Sequence, residues 1–197
     1  MIKTKDDYLE YINQDASSMG INYHAVKNRV MTRFSNPRWK FILLLRKCEY
    51  HCNNKDKLFS KILFSYYYYK YKTLGLKLGF TIPVNVCSKG LSLPHYGTII
   101  ISKNAKIGEN CRIHACVNIG ANAGSPEAPQ IGKNVYIGPG AKLFGNIYIG
   151  NHCTIGANAV VNKSFNQEHC VIGGIPAKIL KEGKSDWLQD NNLNITP

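Results

Sequence analysis

From Ile99 to Lys163 the aliphatic positions recur every six residues. Ile101, Ile107, Ile113 and Ile119 form one series, and Ile131, Ile137, Leu143, Ile149, Ile155 and Val161 form a second. The twelve-residue interval between the two keeps the phase. Glycine follows most of these positions, as at Gly108, Gly120, Gly132, Gly138, Gly150 and Gly156. A small or compact residue stands four places after most of them, as at Ala105, Cys111, Val117, Ala141 and Cys153. A period of six is neither helical nor that of a flat sheet. Three sextets closing one triangular coil of about 18 residues account for it, in the manner of a parallel β-helix. Each aliphatic then points inward and stacks on its counterpart one coil later, with strands about 4.8 Å apart. Glycine beside the aliphatic accepts the positive φ of a corner. The fold class expected is mainly β, a parallel β-helix with an N-terminal α-helical region.

The helical region lacks the sextets. Tyr8, Ile12 and Ala16 recur at helical spacing between Asp6 and Met19. Asn36-Pro37 is a helix-start signal, and Trp39, Ile42, Leu43, Arg46, Glu49 and Tyr50 then follow a helical rhythm that Asn53 and Asn54 end. A third helix is expected over Lys57 to Tyr71, and Gly75 to Gly79 reads as a linker. These helices would cover the mouth of the coil or build an oligomer contact. Thr81 to Leu93 reads as an irregular first coil, because Pro83 and Gly90 break strand rules. Ala121 to Gln130 is the one excursion from the repeat, a usual place for function. The repeat is expected to stop after Val161, with Gly173-Gly-Ile-Pro-Ala-Lys178 crossing over and a short helix near Asp186 to Gln189. The expected divisions are residues 1–78 (helical), 79–165 (β-helix) and 166–197 (crossover and tail).

Composition narrows the classes. Hydrophobic residues make up 44% and charged residues 19% of the 197-residue chain, which excludes a disordered protein. The longest apolar run, Phe41 to Leu45, is too short to span a bilayer, and no apolar segment follows Lys3 to Asp7 as in a signal peptide. The seven cysteines form no CxxC pair and no zinc pattern. Cys111 and Cys153 fall in inward slots as small hydrophobes, and reduced core thiols in the cytoplasm are expected. The formal net charge of +13 suits an anionic ligand or surface, although a solvated lysine-rich surface produces the same figure. The lysines are dispersed without a nucleic-acid-binding motif, so no nucleic-acid partner is expected. Lys61 to Lys77 alternates basic and aromatic residues. It reads either as a helix lying on a membrane surface or as one whose tyrosines pack against the coil with lysines outside.

His95, in Leu91-Ser-Leu-Pro-His-Tyr-Gly97, lies six before Ile101, where the pattern calls for an aliphatic. A titratable ring there breaks the local rule, and such breaks concentrate at functional sites. Pro94 and Gly97 suggest that the backbone bulges and turns the ring outward, the alternative being a buried, hydrogen-bonded histidine. His114 belongs one layer further on, at an outward corner, where it would line an acceptor cleft, orient a base or have no role. His152 reads as a surface turn residue.

Gly90-Leu-Ser-Leu-Pro-His95, the sextets, the 121–130 loop and Gly174-Ile-Pro-Ala-Lys178 together resemble the serine O-acetyltransferase branch of the hexapeptide-repeat acyltransferases, over residues 80 to 180. The resemblance implies a left-handed β-helix, a homotrimer or a dimer of trimers, acetyl-CoA as cosubstrate in the groove between subunits, and no metal. His95 falls on the family's catalytic histidine, whose implied role is general base toward an acceptor hydroxyl, with backbone N–H groups holding the oxyanion. Pro94, Tyr96 and His114 are the implied acceptor-binding residues. Gly138, Pro139, Gly156 and Ala157 are the implied contacts of CoA, and Lys163 and Lys178 suit its phosphates, each lysine reading equally as a solvated charge.

The chain departs from the serine-binding pattern at three places. Pro94 stands where the family has an Asp, about Thr81 where a second acid orients the imidazole, and Ala128 (before Pro129) where a histidine binds the serine carboxylate. The departures resemble variants associated with capsule and exopolysaccharide synthesis. The expected activity is therefore acetyl-CoA-dependent O-acetylation of a saccharide hydroxyl. Serine O-acetylation and a non-catalytic β-helix scaffold are the alternatives.

Overall fold

The structure, a computed structural model, describes residues 1–22, 36–56 and 58–183. Three short parallel sheets wrap one interior. The first face stacks Phe80–Thr81, Ile99–Ile101, Asn118–Gly120, Lys142–Phe144 and Val160–Val161. The second stacks Lys106–Ile107, Gln130–Ile131 and Tyr148–Ile149. The third stacks Arg112–Ile113, Tyr136–Ile137, Thr154–Ile155 and Cys170–Gly174, with Ala177–Glu182 added antiparallel. The register follows the sextets: Ile101 pairs with Ile119, Ile131 with Ile149, and Ile137 with Ile155. Ile113, Ile119, Ile137, Leu143, Ile149, Ile155 and Val161 are all fully buried. Where the 121–130 loop intervenes, Ile119 still pairs with Leu143, so the inward column is unbroken. Cys111 and Cys153 are buried in it, and the seven cysteines are free thiols.

The coil continues past the point where the sextets end. Phe165 bridges Ile149 on the second face, and Ile172 pairs with Ile155 on the third. Spacings of four and seven replace six there, and buried Phe165 and Ile172 fill the slots. The sextet repeat thus stops after Val161 as expected, while the coil itself goes on for two more faces. The expected crossover at residues 173–178 is a hairpin turn through the cis Ile175–Pro176 peptide. The helix expected near Asp186 lies outside the described residues.

Three helices sit against the first coil. Helix α1 (Lys5–Ser18) begins at Thr4, whose hydroxyl accepts from the Asp7 N–H while the Asp7 carboxylate accepts from the Thr4 N–H. Helix α2 (Pro37–Asn53) is capped by the Asn36 side chain, which accepts from the Trp39 N–H. Helix α3 (Leu58–Leu78) runs through the expected linker. A Cβ on Gly75 would lie 2.8 Å from the Phe80 carbonyl oxygen, so this glycine permits close packing of helix on strand and breaks nothing. The helix ends at Gly79, in the left-handed region at φ +78. Of the expected coil-packing tyrosines only Tyr71 is buried, its hydroxyl donating to the Ile82 carbonyl.

Arg46 clamps helices to coil. Its guanidinium reaches Asp15 of α1 at 2.7 Å and Glu49 of α2 at 2.8 Å. It also donates to the carbonyls of Cys87 and Ser88. Asp15 accepts from the Leu91 N–H and Glu49 from the Asn85 N–H. All three charged groups are buried and none lacks a partner, the condition under which buried charge is tolerated.

Candidate functional site

The feature that sets the site is a local miscount in the first coil. Ser92 bridges Arg112, which puts the fully buried Leu93 on the inward column beside Ile113. From Leu93 to Ile101 the chain takes eight positions where later coils take six. Two extra residues must leave the wall at the edge joining the third face to the first. Pro94 to Thr98 form that bulge. Gly97 sits at φ +129, and its N–H donates to the Leu78 carbonyl at 2.9 Å, fastening the bulge to the end of α3. His95 is exposed, and Tyr96 is 69% exposed. The inward slot expected for His95 therefore belongs to Leu93, and the expected outward turn of the ring is present.

His114 lies one coil further along the same edge, its N–H bonded to the Ile137 carbonyl at 3.1 Å. The His95 and His114 ring centroids are 5.6 Å apart, and Tyr136 continues the column 4.8 Å beyond His114. His114 is half-buried, and its Nε2 is buried without a hydrogen-bond partner. Burial, then the charge of Arg112 and the neighbouring His95, lower its pKa to about 4, so at neutral pH the ring carries no charge. Buried polar atoms are normally satisfied, and an unsatisfied one beside an exposed imidazole is a ready contact for a bound group. Among the described residues no carboxylate pairs with either ring.

The same edge continues through Gly138-Pro139 and Gly156-Ala157. The Gly138 N–H bonds the Ile155 carbonyl and the Gly156 N–H the Ile172 carbonyl, each at 2.8 Å. Neither glycine has the positive φ expected beside an aliphatic, which falls instead three places after it, at Asn110, Cys116, Asn134, Gly140, His152 and Asn158; the two differ in what they permit. A Cβ on Gly138 would lie 2.8 Å from both Ala157 N and Ile155 O, so the stacking of coils requires glycine there. On Gly156 the nearest atom would be Ile172 O at 3.5 Å, an ordinary contact. Packing does not demand that glycine, and Pro139 and Ala157 beside it are exposed. Lys178 pairs with Gly173 and is exposed at the far end of this edge.

Lys163 does not join them. It follows Val161 at the corner from the first face to the second, with its ammonium 5.5 Å from the Phe165 ring centroid. The 121–130 loop leaves the coil at that corner too, between Ile119 and Ile131. Within it Ala128 is buried at 2% exposure, so its side chain faces the interior rather than a cleft. Thr81 is exposed on the first face, paired with Ile100. Tyr136 and Arg112, which flank His114, escaped the sequence reading. Both occupy the outward position just before an inward isoleucine, a slot that gives no periodic signal. Among the described residues no group of three His, Cys, Asp or Glu could hold a metal ion. No described helix is long and apolar enough to cross a membrane.

Comparison with known proteins agrees with this architecture. Residues 128–163 match the family described as bacterial transferase hexapeptide (six repeats). The chain is 36% identical over 106 residues to a serine acetyltransferase of Buchnera aphidicola, covering 52% of this chain and 40% of that protein. It is 38% identical over 96 residues to one from Staphylococcus aureus, covering 48% and 45%. The matched region thus spans less than half the length of these relatives. A serine acetyltransferase structure from Neisseria gonorrhoeae superposes with TM-score 0.71 at 22% identity, covering 98% of this chain and 73% of that one. The soybean enzyme complexed with serine superposes with TM-score 0.68 at 20% identity, covering 89% and 70%. At that identity the likeness is one of fold.

Proposed function

We propose that this chain is an acetyl-CoA-dependent O-acetyltransferase whose reaction runs along the His95 edge. The observation that carries the reading is the bulged His95 ring set against the uncharged His114, on the edge that leads to the open surface at Gly156. His95, as general base, takes the proton of an acceptor hydroxyl while that oxygen attacks the thioester carbonyl of acetyl-CoA. The new C–O bond replaces the C–S bond, and the departing sulfur receives the proton back. Positioned proton transfer of this kind contributes about 10²- to 10⁴-fold in rate. The N–H groups of His114, Gly138 and Gly156 already bond the next coil, so the tetrahedral oxyanion falls to other backbone N–H groups on this edge. Gly156, Ala157 and Pro139 line the path proposed for pantetheine, with Lys178 near its phosphates. Lys163, on another edge, would serve only if that edge came from a neighbouring subunit. A homotrimer supplies such a neighbour: a single subunit offers one wall of a groove, and cyclic symmetry adds the second. Left-handed winding of the coil belongs to the same reading.

Serine is the acceptor that the named relatives support. A saccharide hydroxyl is the second reading, favoured by one specific observation: Pro94 and the buried Ala128 stand where the resemblance places serine-binding charged groups, and among the described residues no carboxylate meets His95. A sugar has no ammonium or carboxylate to neutralise. Thiol release from acetyl-CoA with L-serine, and separately with a panel of sugars, decides between them. Turnover with serine alone retires the saccharide. Turnover with sugars alone retires serine. Absence of acetyl-CoA binding by calorimetry would overturn the transferase reading and leave a scaffold.

A further inference from the structure

Helix α3 has two apolar sides, and the described residues cover only one. Phe64, Tyr67, Tyr71 and Leu74 face α2 and the coil. On the other side Leu58, Phe59, Ile62, Tyr66, Tyr69 and Leu76 are 51% to 86% exposed. From Phe59 onward these residues recur at spacings of three and four, with Thr73 completing the series. At about 100° per residue the stripe occupies roughly 100° of the helix circumference. Every other described element carries at most one exposed large hydrophobic residue. Lys61 and Lys72 border the stripe on one side, Lys70 and Lys77 on the other, by the same angular count. No acidic residue occurs anywhere from 57 to 108. An apolar stripe of this size left in water normally marks an interaction site.

The charge pattern selects the partner. A second copy of this chain laid stripe on stripe would set four lysines against four. Two lysine borders around a stripe rich in Tyr, Phe and Leu suit a helix lying in the plane of a lipid–water interface. There the rings enter the acyl boundary and the lysine stems reach back to anionic headgroups. We propose that α3 docks this protein on anionic phospholipid surfaces. The proposal stands on α3 alone and does not depend on the transferase reading. Its consequence for the site is that the His95 bulge, tied to Leu78 through Gly97, travels with the docked helix.

Flotation of the full chain with phosphatidylcholine vesicles, with and without phosphatidylglycerol, tests it. Binding is expected only with phosphatidylglycerol and is expected to weaken with salt. The Phe59→Ser, Ile62→Ser, Tyr69→Ser triple variant should lose it while keeping the wild-type melting temperature and mass in light scattering. Each lysine near an anionic surface contributes about fivefold. Changing Lys61, Lys70, Lys72 and Lys77 together to Gln should therefore weaken binding by roughly 10²- to 10³-fold. Equal binding to both vesicles, binding to neither, or full binding by the triple variant overturns the proposal. A change of mass in that variant would assign the stripe to a second copy. Soluble polyglutamate that binds through the same residues and displaces the vesicles would assign it to an acidic polypeptide. Either result overturns the lipid assignment.

Discussion

Replacing His114 by Asn should flatten the acid side of the protein's stability profile. The folded ring has a pKa of about 4, lowered chiefly by burial and then by Arg112 and His95, against about 6.5 in an unfolded chain. Between those values the unfolded chain binds a proton that the folded chain refuses. Stability from this group is therefore fully present above pH ~6.5 and is lost as pH falls toward about 4, below which nothing further changes. The full shift of about 2.5 units at 1.36 kcal/mol each would amount to about 3.4 kcal/mol. The ring is only half-buried, so solvent screening reduces this to about 1–2 kcal/mol. For a chain of this size each kcal/mol moves the melting temperature by about 2–4 °C. Wild-type protein should then lose about 2–8 °C more than His114→Asn between pH 7.5 and 4.5 in scanning calorimetry. A constant offset between the two curves measures lost packing; only the difference in slope reports the charge. Parallel curves would refute the reasoning, because they would mean that His114 protonates freely in the folded protein.

Other perturbations separate architecture from chemistry. Arg46→Met should cost about 3–5 kcal/mol by stranding buried Asp15 and Glu49. That corresponds to a fall of about 6–20 °C in melting temperature, and a fall under about 2 °C would show that the clamp contributes little. Gly138→Ala should destabilise by about 1–3 kcal/mol, since its Cβ meets only backbone of the next coil. Gly156→Ala should leave the melting temperature nearly unchanged but raise the KM for acetyl-CoA about tenfold, the equivalent of about 1.4 kcal/mol. Equal melting temperatures for the two alanine variants would contradict the packing argument, and an unchanged KM would move the cosubstrate off this edge.

The coil is legible in the sequence because one rule repeats: each aliphatic six places on faces the same interior, and Ile107 through Val161 obey it. The first and last coils obey the same geometry without the same spacing. Ile82, Cys87, Leu93 and Ile101 are separated by five, six and eight positions, and only the stack above them shows that they occupy equivalent slots. Counting back six from Ile101 therefore lands on His95, which is the residue expelled, and the real column member is Leu93. The violation was visible; its cause, a two-residue surplus, was not. Gly75 misleads for a different reason. A glycine signals a helix end when it supplies an unusual φ, but here it supplies space against Phe80. Arg46 and Glu49 fall in the apolar rhythm of α2, yet their burial depends on Asp15 and on carbonyls of a coil more than 35 residues later. The ring column has the same origin. His95, His114 and Tyr136 are neighbours because successive coils stack, a relation that periodicity places by layer but not by contact.

The central claim is that the expelled imidazole at 95 performs the proton transfer. The most direct test is kcat for thiol release by wild type and His95→Asn with the acceptor that turns over, alongside the calorimetric affinity for CoA. The account predicts a fall in kcat of about 10²- to 10⁴-fold with CoA affinity kept. A variant that turns over as fast as wild type, or that loses CoA binding in step with activity, would contradict it.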